Sequence, residues 1–146
     1  MAKMTRILIP SDFTVDSLYF VRQSIESSSA EEVDIILAYG NKSSTSASEL
    51  IAIGVEDQLD ELQSDAFLKA CERICQRFKN RKLTIYADII RTDNASYLQH
   101  YLRGAGVNEI KIPANYSYQS KTRDFFDVGK ALRKLKNHVL HPISVM

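Results

Sequence analysis

The feature that most constrains this chain is the strict alternation of short apolar, β-rich segments with stretches whose apolar residues recur every three or four positions. Ile7-Leu8-Ile9, closed by Pro10, is the unbroken apolar run of a strand buried on both faces. Leu18, Val21 and Ile25 then share one helical stripe, which weakens at Ser27-Ser28-Ser29. Residues 33–39 form a second β-rich run, stopped by the breaker pair Gly40-Asn41. From about Val55 to Lys79, Leu59, Leu62, Ala66, Phe67, Ala70, Ile74 and Phe78 follow helical spacing and predict the longest helix. Residues 83–90 read as a third strand, and Asp93 or Asn94 can cap a short helix carrying Leu98, Tyr101 and Leu102 before Gly104 and Gly106. Residues 109–114 supply a fourth strand. Thr122 or Asp124 can cap a last helix with Phe125, Val128, Leu132 and Leu135 in line, and residues 143–146, after Pro142, supply a fifth strand.

This alternation predicts an α/β fold: a five-stranded parallel, Rossmann-like sheet with helices on both faces, because parallel neighbours need right-handed helical crossovers. The chain's 146 residues suit one domain spanning 1–146, large enough to need no disulfide or metal staple. Nineteen basic against eighteen acidic side chains give a net charge of +1, so no global field draws the protein onto nucleic acid or anionic lipid. No apolar run approaches the ~18 residues of a membrane span, and the start shows no signal-peptide core, so the cytoplasm is the expected location. Cys71 and Cys75, four apart on a helical pattern, are poorly placed for a disulfide and read as small core residues. His100, His138 and His141 show no zinc-type spacing, so no metal site is expected.

The strand and turn Ile7-Leu8-Ile9-Pro10-Ser11-Asp12-Phe13-Thr14, followed by a helix and residues 33–39, resemble the opening of the universal stress protein family. Ala131-Leu132-Arg133-Lys134 and His141-Pro142-Ile143-Ser144-Val145 are similar to its closing helix and strand. The resemblance implies an adenine-nucleotide alpha hydrolase-like sheet of order 3-2-1-4-5, with a ligand cleft above the carboxyl ends of strands one and four, where the order reverses. It also implies a homodimer formed through the last strand, across Ile143 and Val145, whose charge-free edge is open to pairing. Nucleotide-binding members carry a G-x2-G-x9-G segment, followed by Ser or Thr, after the fourth strand. The matching residues 112–126 contain no glycine, and Phe125-Phe126 fall where the last glycine and its hydroxyl partner would be. Side chains there obstruct the backbone approach to phosphate, and Asp124 repels it.

Pro10, Ser11 and Asp12, with Tyr39, Asn115 and Tyr116, are therefore the candidate ligand-binding residues, and residues 42–48 a candidate lid. Asp12 reads equally as a turn and capping residue beside Ser11 and Thr14. The tyrosines after strand four can stack on a planar ligand, fill the space of one, or simply belong to a polar loop. Lys121, Arg123, Lys130, Arg133, Lys134 and Lys136 make the last helix basic, a pattern that usually marks a solvated face. No nucleophile elbow, Walker sequence or G-x-G-x-x-G is present, so no catalytic residue is expected. A response-regulator receiver fits less well, because it needs an acidic pair after strand one.

Three functions follow. The first is a non-catalytic, stress-related regulatory or interaction protein without ATP or another cofactor, with an unidentified protein partner. The second is a binding module for ATP, AMP or another small ligand at Asp12 and the loop after strand four. The third is a nucleotide-using enzyme with unrecognised residues.

Overall fold

The computed structural model describes residues 3–42, 55–135 and 143–145, with Val55 and the last three described by backbone alone. The elements in chain order are β1 (Met4–Pro10), α1 (Leu18–Ser27), β2 (Glu32–Asn41), α2 (Val55–Leu62), α3 (Asp65–Arg77), β3 (Lys82–Ile90), α4 (Ala95–Gly104), β4 (Glu109–Ile112), β5 (Phe125–Phe126), α5 (Val128–Arg133) and β6 (Ile143–Val145). Five strands run parallel in the order β3-β2-β1-β4-β6, and β6 is the fifth strand read from sequence. The predicted order is therefore present.

Alternate residues of each strand face opposite layers. Ile7, Ile9, Val33, Ile35 and Leu37 pack with Val21, Ile25, Phe67 and Ile74 on the α1/α3 side. Leu8, Ile36, Ala38 and Ile110 pack with Leu98, Leu102 and Leu132 on the α4/α5 side. Burial on both faces explains why the centres of β1 and β2, Ile7-Leu8-Ile9 and Ile35-Ile36-Leu37, read as apolar runs.

Three predicted elements take different forms. The long helix from Val55 to Lys79 is two, because Ser64 adopts extended geometry and accepts a hydrogen bond from Phe67 N at 3.1 Å as the N-cap of α3. The fourth strand stops at Ile112, before Pro113. The last helix begins at Val128 behind the N-cap Asp127, which accepts from Lys130 N at 3.1 Å, so neither Thr122 nor Asp124 caps it. Phe125 and Phe126 instead form β5, pairing antiparallel with Asn41 and Gly40. Helical periodicity failed there because the two rings go to opposite layers, Phe125 to the α1/α3 side and Phe126 to the α4/α5 side.

Both cysteines are half-buried and unbridged, and burial pushes the Cys71 thiol up to about 11, which keeps it protonated and unreactive at neutral pH. Among the described residues no helix is long and apolar enough to cross a membrane, and no three metal-ligating side chains come together.

The β2–β5 contact depends on Gly40. A Cβ there would lie 2.3 Å from the Phe126 carbonyl oxygen and 2.8 Å from Val128 Cγ2, whereas one on Gly104 would meet open space. Gly40→Ala should lower stability in urea by roughly 1–3 kcal/mol. Gly104→Ala should leave stability unchanged or raise it by up to about 1 kcal/mol. Equal urea midpoints for the Gly40 variant and the parent chain would contradict this packing.

Candidate functional site at the carboxyl end of the sheet

The carboxyl ends of β1, β2 and β4 share one rim, and the strand order reverses between β1 and β4. Pro10 ends β1, and Ser11 N extends the ladder by donating to Ala38 O at 2.9 Å. Ser11 Oγ then accepts from Phe13 N at 3.0 Å, which folds the turn back. Phe13 itself has φ 57°, a left-handed conformation that is an outlier for a bulky residue and costs about 1–3 kcal/mol. Full burial of its ring between Tyr39 (5.3 Å) and Phe67 (5.6 Å) holds it there.

This turn places Asp12 at 0% exposure. A carboxylate so buried needs hydrogen-bond donors. It has four: Thr14 N at 3.2 Å and Thr14 Oγ1 at 2.6 Å reach Oδ1, while Tyr116 OH at 2.7 Å and Gln119 N at 2.8 Å reach Oδ2. Two donors come from the turn and two from the loop after β4. Tyr116 OH also lies 2.9 Å from Thr14 Oγ1, which closes a cluster of three side chains, Asp12, Thr14 and Tyr116. Burial, with the Asp12 charge behind it, pushes the Tyr116 phenol up to about 12.

The same loop is fastened at two further points. Lys121 Nζ donates to Phe13 O and to Leu62 O, both at 2.8 Å, and its desolvation lowers its pKa. Leu62 ends α2, so the ammonium sits where the helix carbonyls are unsatisfied. Thr122 Oγ1 donates to Asn41 Oδ1 at 2.7 Å and lies 2.9 Å from Tyr39 OH, which also accepts from Lys121 N at 3.2 Å.

The structure thus joins Asp12 to Tyr116 directly and sets Ser11 and Pro10 beneath them. Tyr39 is fully buried behind Phe13 as part of the wall, and Asn115 is exposed at φ 55°. From sequence, Thr14 reads only as a turn residue, Gln119 only as one of the rim residues after strand four and Thr122 only as a helix cap, while nothing marks Lys121 or Asn41 as part of the site. Gln119 acts through its backbone and leaves no sequence signal. Lys121, read as part of a solvated helical face, precedes α5 and is clamped. Asp124, read as an obstacle to phosphate at the helix start, lies before β5, and its carbonyl accepts from Lys42 N at 2.8 Å. Lys42 pairs with Asp93 at 3.0 Å; the rest of the candidate lid, Ser43–Ser48, lies outside the described residues, as do Lys136, His138, His141 and the side chains of Ile143 and Val145.

Beside this cluster an open groove of about 680 Å³ is lined by Asn115, Tyr116, Ser117, Tyr118, Asp127, Lys130 and Arg133, among others. The Tyr118 hydroxyl is buried without a hydrogen-bond partner among the described residues.

Tyr116→Phe should cost about 1.5–3 kcal/mol near neutral pH. The Tyr116 pKa is raised above its unfolded value of 10.0 to about 12, so its contribution is complete below pH 10 and lost as pH rises through 12. Urea titrations between pH 8 and 12 should show a shallower alkaline decline in the variant, with Tyr101 and Tyr118, raised in the same direction, keeping a residual slope. Parallel pH curves for the two chains would rule the contact out.

No protein-family model matches the chain, and no curated protein matches it. Solved structures do. The universal stress protein UspA from Lactobacillus plantarum superposes with a TM-score of 0.58 at 14% identity, over 100% of this chain and 99% of that one. A protein from the universal stress protein family from Burkholderia pseudomallei superposes with a TM-score of 0.50 at 13% identity, over 97% of this chain and 95% of that one. Over nearly its full length, the chain has the fold of the universal stress proteins.

Proposed function

We propose that this protein is a non-catalytic, stress-related regulatory or interaction protein whose nucleotide position is filled by its own loop. The observation that carries this reading is the Asp12 carboxylate, fully buried and already accepting from Tyr116 OH and Gln119 N. A nucleotide entering the cleft at the β1/β4 reversal meets an acceptor with no free lone pair facing it. At the neighbouring α5, the chain's own Asp127 takes Lys130 N and so supplies the negative charge a phosphate would bring. Without glycine in residues 112–126, no backbone cradle replaces it.

Calorimetric titration of the full chain with ATP and with AMP should give no saturable heat into the millimolar range. One-to-one binding of either at micromolar Kd would overturn the proposal.

The groove at Tyr118 favours a second reading, a small-ligand module. It combines an orphaned hydroxyl with Lys130 and Arg133 beside two tyrosine rings. Saturable AMP binding that weakens in a Tyr116→Ala variant would establish it in place of the first.

Within the first reading the protein works as a cytoplasmic homodimer, and its contacts are with protein rather than nucleic acid or membrane. The last strand, β6, pairs only with β4 among the described strands, which leaves its other edge for a second copy. Sedimentation at micromolar concentration should show a dimer, and Val145→Asp should dissociate it. A monomer for the parent chain would remove this part of the proposal.

A further inference from the structure

On the opposite side of the molecule from α4 and α5, a cleft of about 290 Å³ opens between α1 and α3. Its floor is apolar: Leu18, Ala70 and Ile74 are buried, and Val15 at the mouth is 46% exposed. Its other lining residues are Arg22, Arg73 and Arg77. Helical spacing gathers them, since Ala70, Arg73, Ile74 and Arg77 share one face of α3, while Leu18 and Arg22 lie one turn apart on α1.

Among the described residues no carboxylate lines this cleft. The ion pairs among the described residues are Arg6–Asp34 and Lys42–Asp93, and neither includes these arginines. Arg73 and Arg77, four apart on one helix, repel each other, and Arg22 adds a third like charge from the facing helix. The chain as a whole carries only +1, so general basicity does not account for the cluster. An exposed valine over a buried apolar floor, ringed by three guanidinium groups with no acidic partner among the described residues, matches a ligand that is apolar in its body and anionic at its head.

We propose that the α1/α3 cleft binds a small amphiphilic anion, a short apolar chain ending in a carboxylate or phosphate. The guanidinium fork offers parallel N–H donors to either head group, and the floor takes the chain. At about 290 Å³ the cleft is at the small end of small-molecule sites. None of its lining residues bonds Asp12, so the site stands or falls independently of the loop at the sheet rim.

The test titrates the full chain with decanoate and with decyl phosphate, below their micelle concentrations, by calorimetry and amide chemical shifts. Saturable one-site binding is expected. Acetate, which lacks the chain, and decanol, which lacks the charge, should each bind at least about tenfold more weakly. Tighter binding of decanoate than of decyl phosphate assigns a carboxylate head, and the reverse assigns a phosphate.

The double variant Arg73→Gln/Arg77→Gln should weaken binding by about tenfold or more, with Tm unchanged or slightly raised as the repulsion is removed. Val15→Ser, at an exposed position, should weaken the decyl ligands without altering the charge. The proposal is overturned by absent saturation, by decanol binding as tightly as decanoate, or by undiminished binding in the double variant. Binding confined to anionic vesicles or to an acidic amphipathic peptide, with neither decyl anion bound, also overturns it.

Discussion

A carboxylate with no exposed surface is the constraint on which the carboxyl-end rim of the sheet depends. Burying an unpaired ionised group is prohibitively costly, so Asp12 requires donors on both oxygens. Among the described residues, the turn after β1 supplies Oδ1 through Thr14, and the loop after β4 supplies Oδ2. That requirement ties together two segments more than a hundred residues apart. Once Tyr116 and Gln119 are fixed, Lys121 falls within reach of Phe13 O and Leu62 O, Thr122 within reach of Asn41, and Phe125-Phe126 against the end of β2.

The left-handed Phe13 belongs to the same arrangement. Its strain is about 1–3 kcal/mol, and burying a phenylalanine ring contributes a similar amount. Those two effects roughly cancel, so the hydrogen bonds decide. Ser11 Oγ fixes Phe13 N, Lys121 Nζ fixes Phe13 O, and the aromatic chain Phe13–Tyr39–Phe125–Tyr118–Tyr116–Phe20 leaves the ring no other place. The rim is rigid because polar and aromatic contacts enforce the same geometry.

What could be read in the sequence followed from periodicity. Strands buried on both faces announce themselves as apolar, β-rich runs, which is why Ile7-Leu8-Ile9 and residues 33–39 were legible; alternation with helices implied a parallel sheet, and the family resemblance implied its order. The break at Ser64 was written in a residue suited to capping, but apolar spacing continues across it and masks the boundary. Phe125-Phe126 misled because two residues are too few to show a period of two, and Val128 and Leu132 complete a convincing helical stripe beyond them. In the site, Asp12 and Tyr116 were legible as residue types at the right rim. Their direct bond was not, because it depends on the loop's path, and that path is set by the Gln119 amide and the Lys121 ammonium, neither marked by a motif.

The geometry also sets how strongly the loop and a ligand would compete. Any group that takes the Asp12 position must first release Tyr116 OH and Gln119 N. Two hydrogen bonds to a charged acceptor are together worth roughly 3–6 kcal/mol. If they are lost only in an open form, that form is populated at about one part in a hundred to one in ten thousand, and the affinity of any ligand needing it falls by the same factor. A nucleotide could recover the cost through phosphate contacts, which need the close backbone approach that glycine permits. Here residues 112–126 carry side chains at every position and Asp127 already occupies the helix start. Under the proposed reading, the cost of opening is therefore set by Asp12, and no glycine in residues 112–126 provides a backbone cradle to offset it.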